Sequence, residues 1–542
     1  MTPLAAIAAG GAIRWRALAA GRAEAAATGR PLAVLALRGL DHWSARWLAE
    51  LVSDADAAAL LDQAFVPVLV DVDREPGLAR TLQLVLAITA ESQGWPLLAC
   101  ADADGRWLGA SAWRPLRDQE RSPGTLRLLV ESAQALATGT ALPDCTRLAR
   151  MLDELERLPA ATLPAPAVFF DNLDAHAMAA ADQLEGGFGP APRRPDAALL
   201  GMLLARPDAA PALRSQRERT LATLCASALH DHLGGGFFRA VSDTAWREPF
   251  AEKRARDSAL LIPLLLASGG TLERAVARQA GAWLVTACQR SDGLIAHGIH
   301  ADSPAAAGRW ESGAVYRWTA LQAADVVGDA GAELLARRFD LGEAPAFPAV
   351  RGQVDAAQTA QLPALTHRLA VARSQRAQPR QDETAFVADQ GMALMAVAAL
   401  AKAEPDEPLW TSACNGLRNA LPVTEAPAWW EADGSPVGMA DVRACAWLGR
   451  GLLAVGDRAA ALTWAAAALA APLPPATDDE DGPAAVAVLA HLCADLAEPS
   501  WTRCGLALVL AHAALLRRAP LAMAGLAHAW WRLIALEQSE LS

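Results

Sequence analysis

Lysine and tyrosine are almost missing from this chain: Lys253 and Lys402 are its only lysines and Tyr316 its only tyrosine among 542 residues. The 48 cationic side chains are therefore nearly all arginine, set against 18 tryptophans and abundant alanine. This reads as a coding bias toward Arg and Ala, under which a surviving Lys or Tyr marks a place where Arg or Phe would not serve. Paired cysteines are missing too. Cys100, Cys145, Cys225, Cys288, Cys414, Cys445, Cys493 and Cys504 form no CxxC, and several lie inside apolar helical runs that suit buried thiols. That pattern excludes a disulfide framework and a zinc site. The longest apolar stretches, Leu260–Ser268 and Gly505–Leu516, are too short to span a bilayer. No long Lys/Arg block occurs and the net charge is −12 with a pI near 5.4, which argues against nucleic-acid or membrane partners. The N-terminal MTPLAAIAAGGAIRWR has no basic residue before its apolar stretch, so the expected location is cytoplasmic.

Apolar residues make up 53% of the chain, charged ones 20%, and the mean hydropathy is +0.17, enough apolar material for several cores. Up to about residue 140 the pattern alternates between helix and strand. Arg14–Thr28 reads as a helix, and PLAVLAL at Pro31–Leu37 as a buried strand. Helices Ser44–Val52 and Asp54–Gln63 follow, then FVPVLVDV at Phe65–Val72 as a second strand and Leu78–Glu91 as a helix. Trp95–Ala101 and Trp107–Ala112 flank the turn Asp102–Gly105 and read as a hairpin, closed by the helix Leu126–Thr138. This is an α/β sandwich order. A Pro-containing connector follows, with one helix over Thr146–Arg157. Beyond about residue 170 helical periodicity takes over, as in Leu221, Leu224, Cys225 and Ala228, broken at Gly186–Pro192, Gly234–Gly236 and Pro472–Pro475. So many paired helices imply a solenoid or a closed toroid, and the lack of a fixed-period repeat weighs against the solenoid.

Several blocks resemble the spermatogenesis-associated protein 20 family, which has many bacterial members. They are RPLAVLAL, the DHW at Asp41–Trp43, Ser53–Glu75 and QGWPL at Gln93–Leu97 in the first part. GGFGPAP at Gly186–Pro192, DHLGGGFFR at Asp231–Arg239, the W-x-x-P-x-x-E-K-x-x-x-D-x-A pattern at Trp246–Ala259, HADS at His300–Ser303 and YRWT at Tyr316–Thr319 follow in order. The resemblance implies a multidomain chain: an N-terminal α/β thioredoxin-like domain over residues 1–140, a connector over 141–168, and an all-α (α/α)6 toroid of the six-hairpin glycosidase type over 169–542.

Departures from the family pattern shape the functional expectation. Where the family carries Cys-His-Trp-Cys, this chain has Asp41, His42, Trp43 and Ser44, and neither Asp nor Ser can attack or resolve a disulfide. Trp95–Pro96 resembles the cis-proline turn of thioredoxin folds. In the helical part the signature His is Phe250 and the signature Asn is Ser258, whereas Glu252, Lys253 and Asp257 persist. Asp382 and Gly391 match a later stretch whose Lys and Trp positions hold Thr384 and Asp389, and Asp441 matches an acidic position.

Loops at one rim of a helical toroid line a central funnel. Glu252, Asp257, Asp302 and Asp382 are thus candidate catalytic acids, since paired carboxylates can perform acid/base work on sugars. Lys253, Tyr316, Trp318 and Asp441 are candidate ligand contacts. Against this stands the capping of helix starts by acids and the packing of aromatics in a helical core. His230-x-His232 and His297-x-x-His300 lack a third ligand with supporting spacing, so no metal or other cofactor is expected. Two readings remain: a non-redox thioredoxin-like domain on a toroid that binds a carbohydrate-like molecule or a protein partner, and a carbohydrate-active enzyme of the N-acylglucosamine 2-epimerase or glycosidase type.

Overall fold

The computed structural model describes residues 3–90, 94–120, 122–138, 145–157, 159, 161–305, 309–473, 477–478 and 482–541. Of the features singled out above, Glu91, Gln93, the first residues of the connector, the Cys145 side chain and part of the Pro472–Pro475 break lie outside them. The chain divides into two compact units, Met1–Arg157 and Leu158–Ser542.

The first unit holds helices α1 (Pro3–Ala8), α2 (Leu18–Thr28), α3 (His42–Ser53), α4 (Ala55–Ala64), α5 (Pro76–Ala90), α6 (Thr125–Thr138) and α7 (Cys145–Glu156). They accompany a four-stranded sheet of β1 (Leu32–Leu37), β2 (Val66–Asp71), β3 (Leu97–Ala101) and β4 (Trp107–Ala112), in the order β2-β1-β3-β4. β1 runs parallel to β2 and antiparallel to β3, with Leu32 opposite both Val66 and Ala101. All six residues of β1 are buried, as its unbroken apolar run demands of a strand covered on both faces. Trp47, Leu48, Leu51 and Phe65 pack on one side of the sheet; Val68, Leu82 and Leu86 pack on the other. The β3–β4 hairpin turns where Asp102 accepts the amides of Asp104 and Arg106. The expected helix over Arg14–Thr28 starts only at Leu18, because Arg16 lies along β2 instead, its amide donating to Pro67 and its carbonyl accepting from Leu69.

The second unit is built of α8 (Pro166–Ala180), α9 (Ala197–Ala205), α10 (Pro211–Ala226), α11 (Ala255–Ser268), α12 (Thr271–Ala287), α13 (Ala320–Val327), α14 (Asp329–Phe339), α15 (Ala356–Ser374), α16 (Val387–Ala403), α17 (Pro408–Ala420), α18 (Val442–Ala454), α19 (Arg458–Ala470), α20 (Ala485–Leu496), α21 (Pro499–Ala511), α22 (Ala513–Arg518) and α23 (Ala524–Leu541). Six of these close a ring: α9 packs on α11, α11 on α16, α16 on α18, α18 on α20, α20 on α23, and α23 back on α9. The ring helices are apolar nearly all round, as AALLGMLLA in α9 and AVAVLAHLCADL in α20, and such helices must be buried. Helices α10, α12, α17, α19 and α21 back them, α10 also packs on α8, and α13–α15 form a side group between α12 and α16. The second unit is therefore a helical toroid.

Short strands that no periodicity announces tie the loops of one rim together. β5 (Lys253–Arg254), β6 (Gly298–Ile299) and β9 (Gln381–Asp382) form a three-stranded sheet immediately before α11 and α16. β7 (Asp302–Pro304) pairs with β8 (Trp310–Ser312). Among the described residues, no helix is long and apolar enough to cross a membrane.

Candidate functional site

In the first unit the residues at the dithiol positions shape a helix start. Asp41 is the N-cap of α3, its Oδ2 accepting the Ser44 amide at 2.8 Å, which satisfies one of the orphan donors of that helix. Ser44 is fully buried and its Oγ accepts the Arg38 amide at 3.1 Å, while the Arg38 guanidinium pairs with Asp73 at 3.0 Å. Trp43 stacks at a tilt on Trp113, 5.1 Å between ring centres, and the Trp95–Pro96 bond is cis. Cys100 sits in β3, where burial pushes its thiol up to about 11, with a hydrogen bond to Ser132 opposing. A thiol at that value is protonated at neutral pH and is a poor nucleophile.

At the toroid rim, the sheet of β5, β6 and β9 gathers residues that lie far apart in sequence. Arg254 and Asp382 are both registered against Gly298. Lys253 is 1% exposed, and its Nζ donates to Asp231 Oδ2 at 3.0 Å and to the Gly235 carbonyl, 4.5 Å from the centre of the Trp283 ring. Asp231 Oδ1 accepts Arg373 Nη1 at 2.7 Å and the amides of Leu233 and Gly234. Burial by itself would raise the Asp231 carboxyl, but Arg373 and Lys253 outweigh it and hold the group far below the carboxylate range. Burial lowers Lys253, with Asp231 opposing. Tyr316 closes the network beside Phe238 and under the Arg373 guanidinium, its phenol pushed up by burial.

The remaining candidates have definite places. Glu252 Oε1 accepts Arg239 Nε at 2.5 Å. Asp257 takes a two-pronged pair from Arg254, at 2.9 and 2.7 Å, in the first turn of α11. Asp302 is buried in β7, its amide donating to His300 Nδ1. Asp382 accepts the Thr384 amide at 3.0 Å, and Asp441 caps α18 through the Ala444 amide at 2.8 Å. Trp318 is buried under Arg376, 3.8 Å from its ring centre. The structure thus brings Lys253 and Tyr316 into one closed network and leaves Trp318 and Asp441 outside it. Of the four candidate acids, Asp257 lines an open cleft, which it shares with Arg194, Asp196 and Arg239 above a floor of Leu260 and Leu261. Asp196 caps α9, and burial pushes its carboxyl up.

Asp231, Arg373, Asp196 and Arg239 are the residues that the sequence reading passed over. Asp231 opens the DHLGGGFFR block, where the flanking histidines drew attention instead. His230 is packed against Phe237, and His232 Nε2 contacts the Ser227 carbonyl at 2.9 Å; burial lowers the pKa of both. Among the described residues, no group of three or more His, Cys, Asp or Glu is placed to hold a metal ion.

The first unit's sheet, in the order β2-β1-β3-β4 with β1 parallel to β2, is that of a thioredoxin-like domain. Residues 8–145 match the family model Thioredox_DsbH, described as a protein of unknown function, DUF255, and this part of the chain is a thioredoxin-like domain of that kind. More particularly, the chain is similar to human spermatogenesis-associated protein 20, 25% identical over 305 residues, which is 51% of this chain and 37% of the human one. The rat protein of the same name is 24% identical over 332 residues, covering 56% of this chain and 42% of that one. The chain thus matches well under half the length of either relative. Among solved structures, cellobiose 2-epimerase from Spirochaeta thermophila DSM 6192 overlaps 68% of this chain and 83% of its own, at 14% identity and a TM-score of 0.37. Cellobiose 2-epimerase from Bacillus thermoamylovorans B4167 overlaps 51% and 93%, at 12% identity and a TM-score of 0.21. The toroid is defined by the ring of its own helices, not by these overlaps.

Proposed function

We propose that this chain is a non-redox binding protein, in which a thioredoxin-like domain without its dithiol is joined to a helical toroid that takes a small polyhydroxylated, carbohydrate-like ligand at its rim. The observation that carries the first half is the use of Asp41 and Ser44 as the start of α3, with both side chains engaged by backbone amides. The second half is supported by the cleft of Arg194, Asp196, Arg239 and Asp257, whose mixed donors and acceptors, with about 30 Å³ of free room, suit a hydroxyl of a larger polyhydroxy molecule. Insulin reduction with dithiothreitol tests the redox half: no turnover above background is expected, and turnover lost in Cys100→Ser overturns it. Calorimetry against a panel of mono- and disaccharides tests the other half. Saturable binding weakened by Asp257→Asn and Arg194→Ala supports the cleft, and no binding by any sugar removes it.

One observation favours the enzymatic alternative. Asp196, its carboxyl raised by burial, lines the same cleft as Asp257, whose two oxygens are held by Arg254, and two carboxyls in unlike surroundings are the raw material of an acid/base pair. Proton exchange or epimerisation of a bound sugar, followed by NMR in D2O and abolished by Asp196→Asn, would put this reading in place of the first.

A further inference from the structure

Between the six inner helices lies a half-open cavity of about 210 Å³ to which every one of them contributes, and which adjoins the rim cleft along Ala197, Ala198 and Leu260. Small residues make the room, Gly201 on α9 and Gly525 on α23; Leu264, Met392 and Trp447 supply apolar walls. A cavity of roughly 150 Å³ lined by hydrocarbon takes up benzene, so this one admits a larger apolar body.

One side of the cavity is polar and unlike the rest. Arg450, His491 and His528 reach it from α18, α20 and α23. Behind them Asp495 accepts Arg450 Nε at 2.7 Å on one oxygen and pairs with Arg532 Nη1 at 2.7 Å on the other, and Arg532 lies 3.3 Å from His491 Nδ1. The rings of His491 and His528 meet edge to face, 4.6 Å between centres. Burial, the neighbouring ring and the two arginines keep His491 neutral; burial and the arginines push His528 down to about 3. With both histidines neutral, Arg450 and Arg532 share the one carboxylate of Asp495, while the nearby Asp478 is engaged by the amides of Ala484 and Gly525. No Asp or Glu is among the described residues that line the cavity itself. The Arg450 side chain is only 12% exposed, and a cation withdrawn that far from water gains most from an anion.

We propose that the toroid lumen binds a small monocarboxylic acid with an apolar body, its carboxylate on Arg450 between His491 and His528 and its hydrocarbon part against Leu264, Met392 and Trp447. This site borders the rim cleft but does not rest on the rim reading, because the two ligand classes differ: a polyhydroxy molecule on the charged cleft, and a hydrocarbon acid in a chamber that is apolar on all but one side.

The test is calorimetry on the full chain with octanoate, octanol, octylamine and acetate, alongside the fluorescence of Trp447 measured by difference against Trp447→Phe. Octanoate is expected to bind saturably at one site, with octanol weaker by roughly tenfold or more. Acetate, which has the head without the body, and octylamine, which has the wrong charge, are expected to give no measurable heat. Arg450→Gln, which leaves Asp495 its Arg532 partner, should bring octanoate down to the level of octanol. Met392→Trp, which fills the chamber without touching the polar side, should abolish both. Equal binding of octanoate and octanol by the wild-type chain overturns the proposal even if Arg450→Gln fails to fold, and so does the absence of octanoate binding. Sugar binding that persists while octanoate fails leaves the rim reading standing, and the reverse result leaves the lumen site standing.

Discussion

Asp231 is the residue on which the rim network turns. It receives Lys253, Arg373 and two backbone amides, so replacing it strips two buried cations of one shared partner. Asp231→Asn is expected to cost roughly 3–5 kcal/mol in chemical denaturation, the range for breaking a buried ion pair from one side. Lys253→Met should cost less, because Asp231 keeps Arg373. A near-zero cost for Asp231→Asn would mean that the network is not structural and would return Lys253 to the list of ligand contacts. The pH dependence has a definite sign. The folded pKa of Asp231 is depressed, so its contribution is fully present above the unfolded value near 3.9 and is lost as pH falls through the lower folded value. Lys253 was legible as unusual in a chain with two lysines; Arg373, the second cation on Asp231, was not, since nothing in composition or spacing joins two positions 142 residues apart.

At the scale of elements, the cap on α3 and the contact between α16 and α18 make separate claims. Asp41→Ala removes the side-chain acceptor for the Ser44 amide and should lower stability by about 1 kcal/mol, while Asp41→Ser, another capping residue, should restore most of it. If both variants match the parent chain in thermal melts, Asp41 is not held there as a cap. In the ring, Gly391 and Gly451 let two helices approach backbone to backbone: a Cβ on Gly391 would lie 2.4 Å from the Trp447 carbonyl oxygen, and one on Gly451 2.6 Å from the Gly391 carbonyl oxygen. Gly391→Ala must push α16 and α18 apart, at an expected cost of about 1–3 kcal/mol or more by denaturant titration. A neutral Gly391→Ala would show that the ring has slack at this seam. Elements written as short apolar runs or around a turn were legible: PLAVLAL and FVPVLVDV are the buried strands β1 and β2, and the hairpin around Asp102–Gly105 is in place. The rim sheet was not, because two-residue strands have no period to read and are held by loops that only the closed ring brings together.

Among the described residues, the histidines whose pKa burial lowers are unevenly distributed; His297 and His300 are buried as well but are not of this set, His297 lying 3.5 Å from Asp389. His230, His232, His491, His512 and His528 all lie in Leu158–Ser542, and burial lowers every one of them. A histidine kept neutral in the fold is protonated more readily when unfolded, so its contribution is intact above the unfolded pKa near 6.5 and is lost as pH falls below it. Each one that stays neutral contributes a slope on the order of 1.4 kcal/mol per pH unit in that window. In Met1–Arg157 the lowered groups are carboxylates such as Asp54, held down by backbone and arginine hydrogen bonds, and these lose their contribution only below the carboxylate range. Asp174 and Asp196 of the toroid are raised by burial, so their protonation favours the fold as pH falls and works against the histidines. Scanning calorimetry from pH 7 to pH 5 should therefore resolve two transitions that move apart, the toroid's falling while that of the thioredoxin-like unit stays nearly fixed. Replacing His491 and His528 together by Gln should flatten the toroid's pH slope without moving the other transition. Two transitions that shift in parallel, or a toroid indifferent to pH above 5, would show that these histidines are not held neutral by the packed ring.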